Sequence, residues 1–309
     1  MSLPAQLAGD LSAAEVAFSR IFMDAYKAIQ PVSDAFTTRV PMGNRTLKLP
    51  IHTRLAKMRK WEGERVARSG GVYTYSIDAE KYELTYKVPM EDFEDDQLGF
   101  HRAMIAQIGE QAALWRDDLV FAALLAGSSD ASYDGAAFFS NSHSLSGNTI
   151  DNLFASTLLT ADNYNAVRAA MMDFVGEDGK SLRVMPDLIV VPPALERTAR
   201  EIVESTQRPI VYGSNTAAAS MDNVMRGTSR VMVCHDLSAA AGGSDTTWYL
   251  MDTSRSVKPF VFAERKAPVF SQLTEGSEHA FKEDEVLYGA RARGVVGYGP
   301  FWLAAKCTA

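Results

Sequence analysis

Apolar positions recur with different periods along this chain. Between Ser12 and Pro31, the residues Val16, Phe18, Ile21, Phe22, Ala25, Tyr26 and Ile29 lie mainly on one face of a helix. Ser12 and Glu15 have capping-box spacing, in which the hydroxyl takes an orphan N–H and the carboxylate reaches back. Pro31 has no N–H to donate and restrains the residue before it, so a helix opening at Ser12 should close there. Two alternating runs, 72–77 and 82–88, predict strands. Tyr73, Tyr75 and Ile77 share a face of the first, and Tyr82, Leu84, Tyr86 and Val88 share a face of the second. Together they suggest an extended two-stranded arm that needs a partner surface, since such a pair is marginal alone. A hairpin folded back on its own domain fits the same pattern.

The longest helical pattern runs from 98 to 126 without a proline. The carboxylates of Glu94, Asp95 and Asp96 suit its start, and Gly127 suits its C-cap. At 1.5 Å per residue such a helix is roughly 43 Å long, the length of a beam rather than of an ordinary globular helix. Beyond it, 127–160 is rich in Ser, Gly and Asn, a helix is predicted over 162–175, and 188–191 reads as a buried strand. Pro192 and Pro193 lead into a helix over 194–204, as proline at a first helical position allows. Residues 208–227 read as loop. Further strands are predicted at 231–234, 248–251, 257–262, 286–293 and 302–306.

The chain has 309 residues, of which 47% are apolar, enough for a real core in one or two domains. Its net charge of -7 runs against sequence-reading contact with nucleic acid. No apolar run approaches the ~18 residues of a membrane span. The first residues lack the basic and apolar regions of a secretory leader. Two cysteines, Cys234 and Cys307, build neither a disulfide framework nor a zinc site. A soluble α/β protein of a reducing compartment is the expectation. Charge is segregated: Arg45, Lys48, Arg54, Lys57, Arg59, Lys60, Arg65 and Arg68 meet only Glu62 and Glu64, and an acidic run follows at 91–96.

Candidate chemistry is sparse. Cys234, His235 and Asp236 are the right residue types for a nucleophilic triad, but neighbours on a strand point to opposite faces. The five histidines (His52, His101, His143, His235 and His279) form no HxH or HxxxH pair that would hold a metal. The glycines between Gly294 and Gly299 lack the order, and a following helix, of a dinucleotide turn. Asp92, Glu94, Asp95 and Asp96 lack EF-hand spacing. No catalytic, cofactor or metal residue is assigned. The basic stretch suits either phosphate or the acidic surface of another copy.

Five strings carry a resemblance: MEDFEDDQLG at 90–99, YDGAAFF at 133–139 with His143 just after, DLIVVPPALE at 187–196, DTSRSVKPFVFAER at 252–265 and DEVLYGARARGVVGYG at 284–299. In this order the chain resembles the major head subunit of Mu-like bacteriophages, from about Leu47 to the end. The resemblance implies an α+β tailed-phage major capsid fold. It would have an N-terminal arm (1–45), an extended β-hairpin loop (46–89) reaching over an adjacent subunit, and a peripheral domain (90–149 and 246–309) with spine helix 98–126. An axial α/β domain (150–245) would complete it, and the strands of 248–309 would finish the peripheral sheet.

It also implies self-assembly through pentamers and hexamers into an icosahedral head around double-stranded DNA, in the virion and first in the bacterial host cytoplasm. The partners it implies are other copies, scaffolding, portal and decoration proteins, and non-specifically held DNA, without cofactor or membrane. Charge segregation then puts Arg54, Lys57, Arg59 and Lys60 against a neighbour's carboxylates, with Tyr73, Tyr75, Tyr82 and Tyr86 along the same contact. A cellular or gene-transfer shell of the same fold is one alternative. A small-molecule α/β enzyme is another, of a different class.

Overall fold

The structure, a computed structural model, describes residues 5–52, 72–94, 98–145, 148–177, 179–211, 218–273 and 277–309. The first helix, α1 (Ala5–Ala28), begins before the capping box, so Ser12 lies inside it rather than at its end. Ala5, Gln6, Leu7 and Ala8 are good helix formers, and extending the helix through them adds backbone hydrogen bonds that one local cap cannot outweigh. After Pro31 comes a 3₁₀ turn, then β1 (Thr37–Pro41), β2 (Thr46–His52), β3 (Val72–Asp78) and β4 (Glu80–Pro89).

The tyrosine-bearing runs do form strands, but not with each other. β3 pairs antiparallel with β2, from Thr46 opposite Asp78 to His52 opposite Val72, while β4 belongs to a different sheet. Only Ala79 separates β3 from β4, and a hairpin reversal needs at least two residues, so the chain carries straight on from one sheet into the other. A short helix, α2 (Met90–Glu94), leads to the long α3, which spans Leu98–Ala126 as the spacing predicts.

Three short strands follow, β5 (His143–Leu145), β6 (Asn148–Ile150) and β7 (Leu153–Phe154). Helix α4 (Ala161–Met172) is capped by Thr160, whose hydroxyl accepts from Asn163 N–H. Then come β8 (Leu188–Val191), α5 (Glu196–Val203), β9 (Gln207–Val211), β10 (Ala218–Asp222) and β11 (Arg230–Val233). β9 and β10 form an antiparallel pair where the sequence suggested loop. Pro209 disguises it; a two-stranded ribbon has only edges, and an edge tolerates proline.

The last elements are β12 (Trp248–Met251), β13 (Phe260–Leu273), α6 (Glu278–Glu283), β14 (Glu285–Tyr298) and β15 (Ala304–Cys307). β13 and β14 run much longer than their apolar alternation predicts, because register shifts between Glu264 and Val269 absorb the charged residues and Pro268.

These strands divide between two sheets. The first has the order β1-β13-β14-β4 and the second β11-β8-β12-β15-β7. The strands after 248 therefore do not complete one sheet: β12 and β15 join β8, and β13 and β14 join β4. All four residues of β12 are buried, which suits a central position in the second sheet and would be wasted on an edge. The main core lies around that second sheet, from Trp248 and Ile189 to Tyr164 of α4 and Ile202 of α5.

Helix α3 crosses the inner face of the first sheet, and α1 lies on α3. At their crossing a Cβ on Gly109 would sit 2.5 Å from the Phe22 carbonyl oxygen, so the backbones touch only because residue 109 has no side chain. Phe18 and Phe22 on α1 then reach Ile105, Ile108 and Tyr288. Gly109→Ala should lower stability to urea by about 1–2 kcal/mol, because overpacking against backbone outweighs alanine's helix preference. An unchanged or higher midpoint would contradict this crossing.

Candidate assembly surfaces

The β2–β3 ribbon rests against the first sheet. It is fastened by Ala79 N–H to the Arg45 carbonyl at 2.9 Å and by Thr46 Oγ1 to Asp78 Oδ1 at 2.5 Å. Ile77 and Ala79 bury against Met42 and Ala263, with Leu49, Tyr75 and Val295 packed around them. A Cβ on Gly297 would lie 3.0 Å from Ile77 and 3.1 Å from Tyr75, so glycine there lets the ribbon settle onto β14. Tyr75 is thus held within its own chain, and burial, with the charge of Asp130 next, raises its phenol pKa. Tyr73 takes its place in β3 opposite Ile51. Arg54, Lys57, Arg59 and Lys60 lie outside the described residues.

Tyr82 and Tyr86 sit elsewhere, on the face of β4 that meets α3. The Tyr82 ring is 5.3 Å from that of Trp115 and its hydroxyl donates to Glu80 Oε2 at 2.8 Å. Burial and that carboxylate push its pKa up to about 12. The Tyr86 hydroxyl lies 2.8 Å from His101 Nδ1, and His101 Nε2 lies 2.7 Å from Asp92 Oδ2. With a neutral ring, both bonds are satisfied when Tyr86 donates to Nδ1 and Nε2–H donates to Asp92. The relay ties β4, α2 and α3 together. Its spacing across three elements is why the sequence hid it.

Other polar residues missed by pattern do similar structural work. Asp117 on α3 accepts Val32 N–H at 3.0 Å and Ser33 N–H at 2.9 Å, capping the 3₁₀ turn after α1. Buried Asn152 donates to the carbonyls of Phe138, Phe301 and Ala304 and accepts from Ser140 N–H, pinning the last turn and β15 to the chain after α3. The His143 ring stacks on Phe301 at 3.8 Å, with Nδ1 2.6 Å from Asp134 and Nε2 donating to the Phe138 carbonyl. The only sequence signal of these roles was the YDGAAFF string with its following histidine.

Cys234 is buried and His235 exposed, but not by strand alternation: β11 ends at Val233, and His235 opens a 3₁₀ turn that carries it away from the thiol. The Cys234 thiol donates to Asp236 Oδ2 at 3.6 Å, and burial first, then the neighbouring carboxylate, raises its pKa to about 12. Such a thiol stays protonated at neutral pH and is a poor nucleophile. A cleft of about 200 Å³ between α3 and the first sheet is lined by Tyr82, Leu84, Trp115, Ala290 and Ala292 among others. No group of side chains among the described residues is arranged to hold a metal ion. No helix among them is long and apolar enough to cross a membrane.

The family model of the Mu-like prophage major head subunit gpT matches residues 11–157, 150–237 and 228–308. The chain belongs to this family. It is 27% identical over 247 residues to the Mu-like prophage FluMu major head subunit of Haemophilus influenzae, and 25% identical over 249 residues to the major capsid protein of Escherichia phage Mu. Each match takes in 80% of the chain and 56% of the relative, so the chain spans little more than half the length of these curated relatives.

Among solved structures, the subunit in the procapsid of bacteriophage JBD30 superimposes with a TM-score of 0.60 at 26% identity, covering 100% of this chain and 76% of that one. The virus-like particle of Pyrococcus furiosus shares the fold at 8% identity, with a TM-score of 0.54 over 94% of this chain and 97% of that one. The fold is the tailed-phage capsid fold. Folded at about pH 8, the protein should show almost no thiol reactive toward an aromatic disulfide, and both thiols after unfolding. One fast-reacting thiol in the folded protein would mean that Cys234 or Cys307 is not packed as described.

Proposed function

We propose that this chain is the building block of a phage head, assembling through pentamers and hexamers into an icosahedral shell around double-stranded DNA. The observation that carries the reading is the family match along nearly the whole chain, joined to a likeness to a procapsid subunit that covers all of it. In this reading the β2–β3 ribbon, Thr46–His52 with Val72–Asp78, belongs to the loop of residues 46–89 that overlies a neighbour. Helix α3 is the spine of the peripheral domain, and the lobe built on the second sheet is the axial domain that meets its copies around the symmetry axes. β12 and β15 go with that lobe. Its place is the virion head, after assembly in the host cytoplasm, with scaffolding, portal and decoration proteins as further partners.

The mechanism is association rather than turnover. Hexamer and pentamer contacts are heterologous and must close into rings. Many weak contacts repeated over a shell multiply into a stable whole. A net charge of -7 per subunit keeps the shell from gripping DNA tightly, so the packaged duplex is held non-specifically. Arg54, Lys57, Arg59 and Lys60, with Tyr73, are the arm residues assigned to a neighbour's carboxylate-bearing surface. Tyr75, Tyr82 and Tyr86 already pack within the chain, and they serve the contact by holding the β2–β3 ribbon and β4 in place.

Sedimentation velocity followed by negative-stain imaging of the heavy fraction tests this directly: rings of five or six, or closed particles, are expected. A concentration-independent monomer or dimer, with or without the head-assembly partners, would refute it. Reversing Arg54, Lys57, Arg59 and Lys60 together to glutamate should abolish or derail assembly and leave the circular dichroism spectrum unchanged. Normal shells from that variant would remove these four residues from the contact.

A further inference from the structure

The first sheet is electrostatically polarised along its strands. Ala290, Ala292 and Gly294 of β14 face α3, so Arg291 and Arg293, alternating with them, point to the opposite face. The β2–β3 ribbon covers Val295 and Gly297 on that outer face, where Arg293 is half-buried and Arg291 is exposed. The register then sets Arg293 between Lys81 of β4 and Lys266 of β13, three cations side by side on one rung. On the next rung Arg291 stands between Glu83 and Val269.

Like charges directly opposite one another weaken a sheet, and this chain does little to offset them. Among the described residues Lys81, Lys266, Arg291 and Arg293 have no ion-pair partner, and Glu83 accepts from Thr85 instead. The Nε–H of Arg293 is buried without an acceptor among the described residues, a further cost left standing.

The other end of the same strands is acidic. Glu91 follows β4, Glu283 and Asp284 precede β14, and all three are exposed; the strand cation beside them, Lys87, is paired with Glu285 at 2.8 Å and also feels the charge of Glu283. Phe281 of α6 stands beside them 91% exposed. The eight residue steps from Lys81 to Pro89 separate the two ends by roughly 26 Å at strand rise, several times the ~8 Å screening length at physiological salt. Within one chain neither end can neutralise the other. Two copies placed head to tail along the strand direction can do so, which is the geometry of a heterologous contact.

We infer that the acidic α6–β14 corner of one subunit docks on the Lys81–Arg293–Lys266 rung of the next, with Phe281 covering the arginines. The phenyl face suits a guanidinium, and Glu91, Glu283 and Asp284 supply the carboxylates that the rung lacks. The occupant is a second copy of this chain, so the inference rests on the self-assembly proposed above and adds the pair of surfaces that meet.

Two double reversals test it: Lys81→Glu with Lys266→Glu, and Glu91→Lys with Glu283→Lys. Every one of these side chains is outside the core, and circular dichroism identifies any variant that misfolds. By sedimentation velocity at low ionic strength, each double variant alone should associate at least about tenfold more weakly than the unmodified chain, and the loss should shrink in about 0.5 M salt. An equimolar mixture of the two should recover association, because each variant's surfaces now complement the other's. Association of either variant equal to that of the unmodified chain, or a mixture no better than its parts, overturns the pairing while self-assembly itself stands. An unmodified chain that never associates overturns both. If Lys81→Glu with Lys266→Glu instead loses binding to a short DNA duplex and keeps its self-association, the rung is a phosphate site and the inference is wrong.

Discussion

The seating of α3 on β14 is the contact on which the rest of the molecule depends. A long helix can lie flat on a sheet only where the sheet offers small side chains, and β14 offers Ala290, Ala292 and Gly294 along its inner face. Trp115 fills the space these leave. Its ring is 5.4 Å from Phe262 and 5.3 Å from Tyr82, and a Cβ on Gly294 would lie 3.0 Å from its edge. Burying an aromatic side chain of this size contributes about 3 kcal/mol or more. The geometry matters as much as the energy, since helix and sheet are fixed at one separation along their whole overlap.

From that seat α3 positions everything else. At its start His101 joins Tyr86 and Asp92, at its middle Asp117 caps the turn that delivers β1, and near its end the Ala123 carbonyl accepts the Tyr298 hydroxyl at 2.9 Å. Gly127 allows Phe139 to close over the helix terminus, and Phe139 continues into the core around the second sheet. The β2–β3 ribbon sits on the opposite face of β14, over Val295 and Gly297. One strand therefore carries the helix on one side and the ribbon on the other.

Charge follows the same axis. The ion pairs of α5 are local, linking Glu196, Arg200 and Glu204 or Arg197 and Glu201 at helical spacing on an exposed surface. Such pairs contribute little to stability and say little about partners. Lys81, Lys266 and Arg293 are different: strand register gathers them on one rung, with no ion-pair partner among the described residues. Local neutralisation and long-range segregation are thus separate features of one surface, and only the second points outside the molecule.

The sequence by itself determined the elements whose information is local. The span of α3, the buried strand at 188–191, the cores of two strands at 72–77 and 82–88, and the helix after Pro193 all follow from periodicity and from the few residues that stop it. The ordered strings also carried the family. Only the tertiary structure decided which strands pair. Nothing local in Val72–Asp78 or Glu80–Pro89 says that a single linking residue sends them to different sheets, or that Trp248–Met251 lies beside Leu188–Val191. Nor did the alternation of Arg291 and Arg293 reveal that Lys81 and Lys266 stand on either side. Helices and turns are specified by neighbours a few residues apart, so their signals survive in one dimension. Sheet register, the histidine relays and the charge of a face arise from residues brought together over scores of positions, and those exist only once the chain has folded.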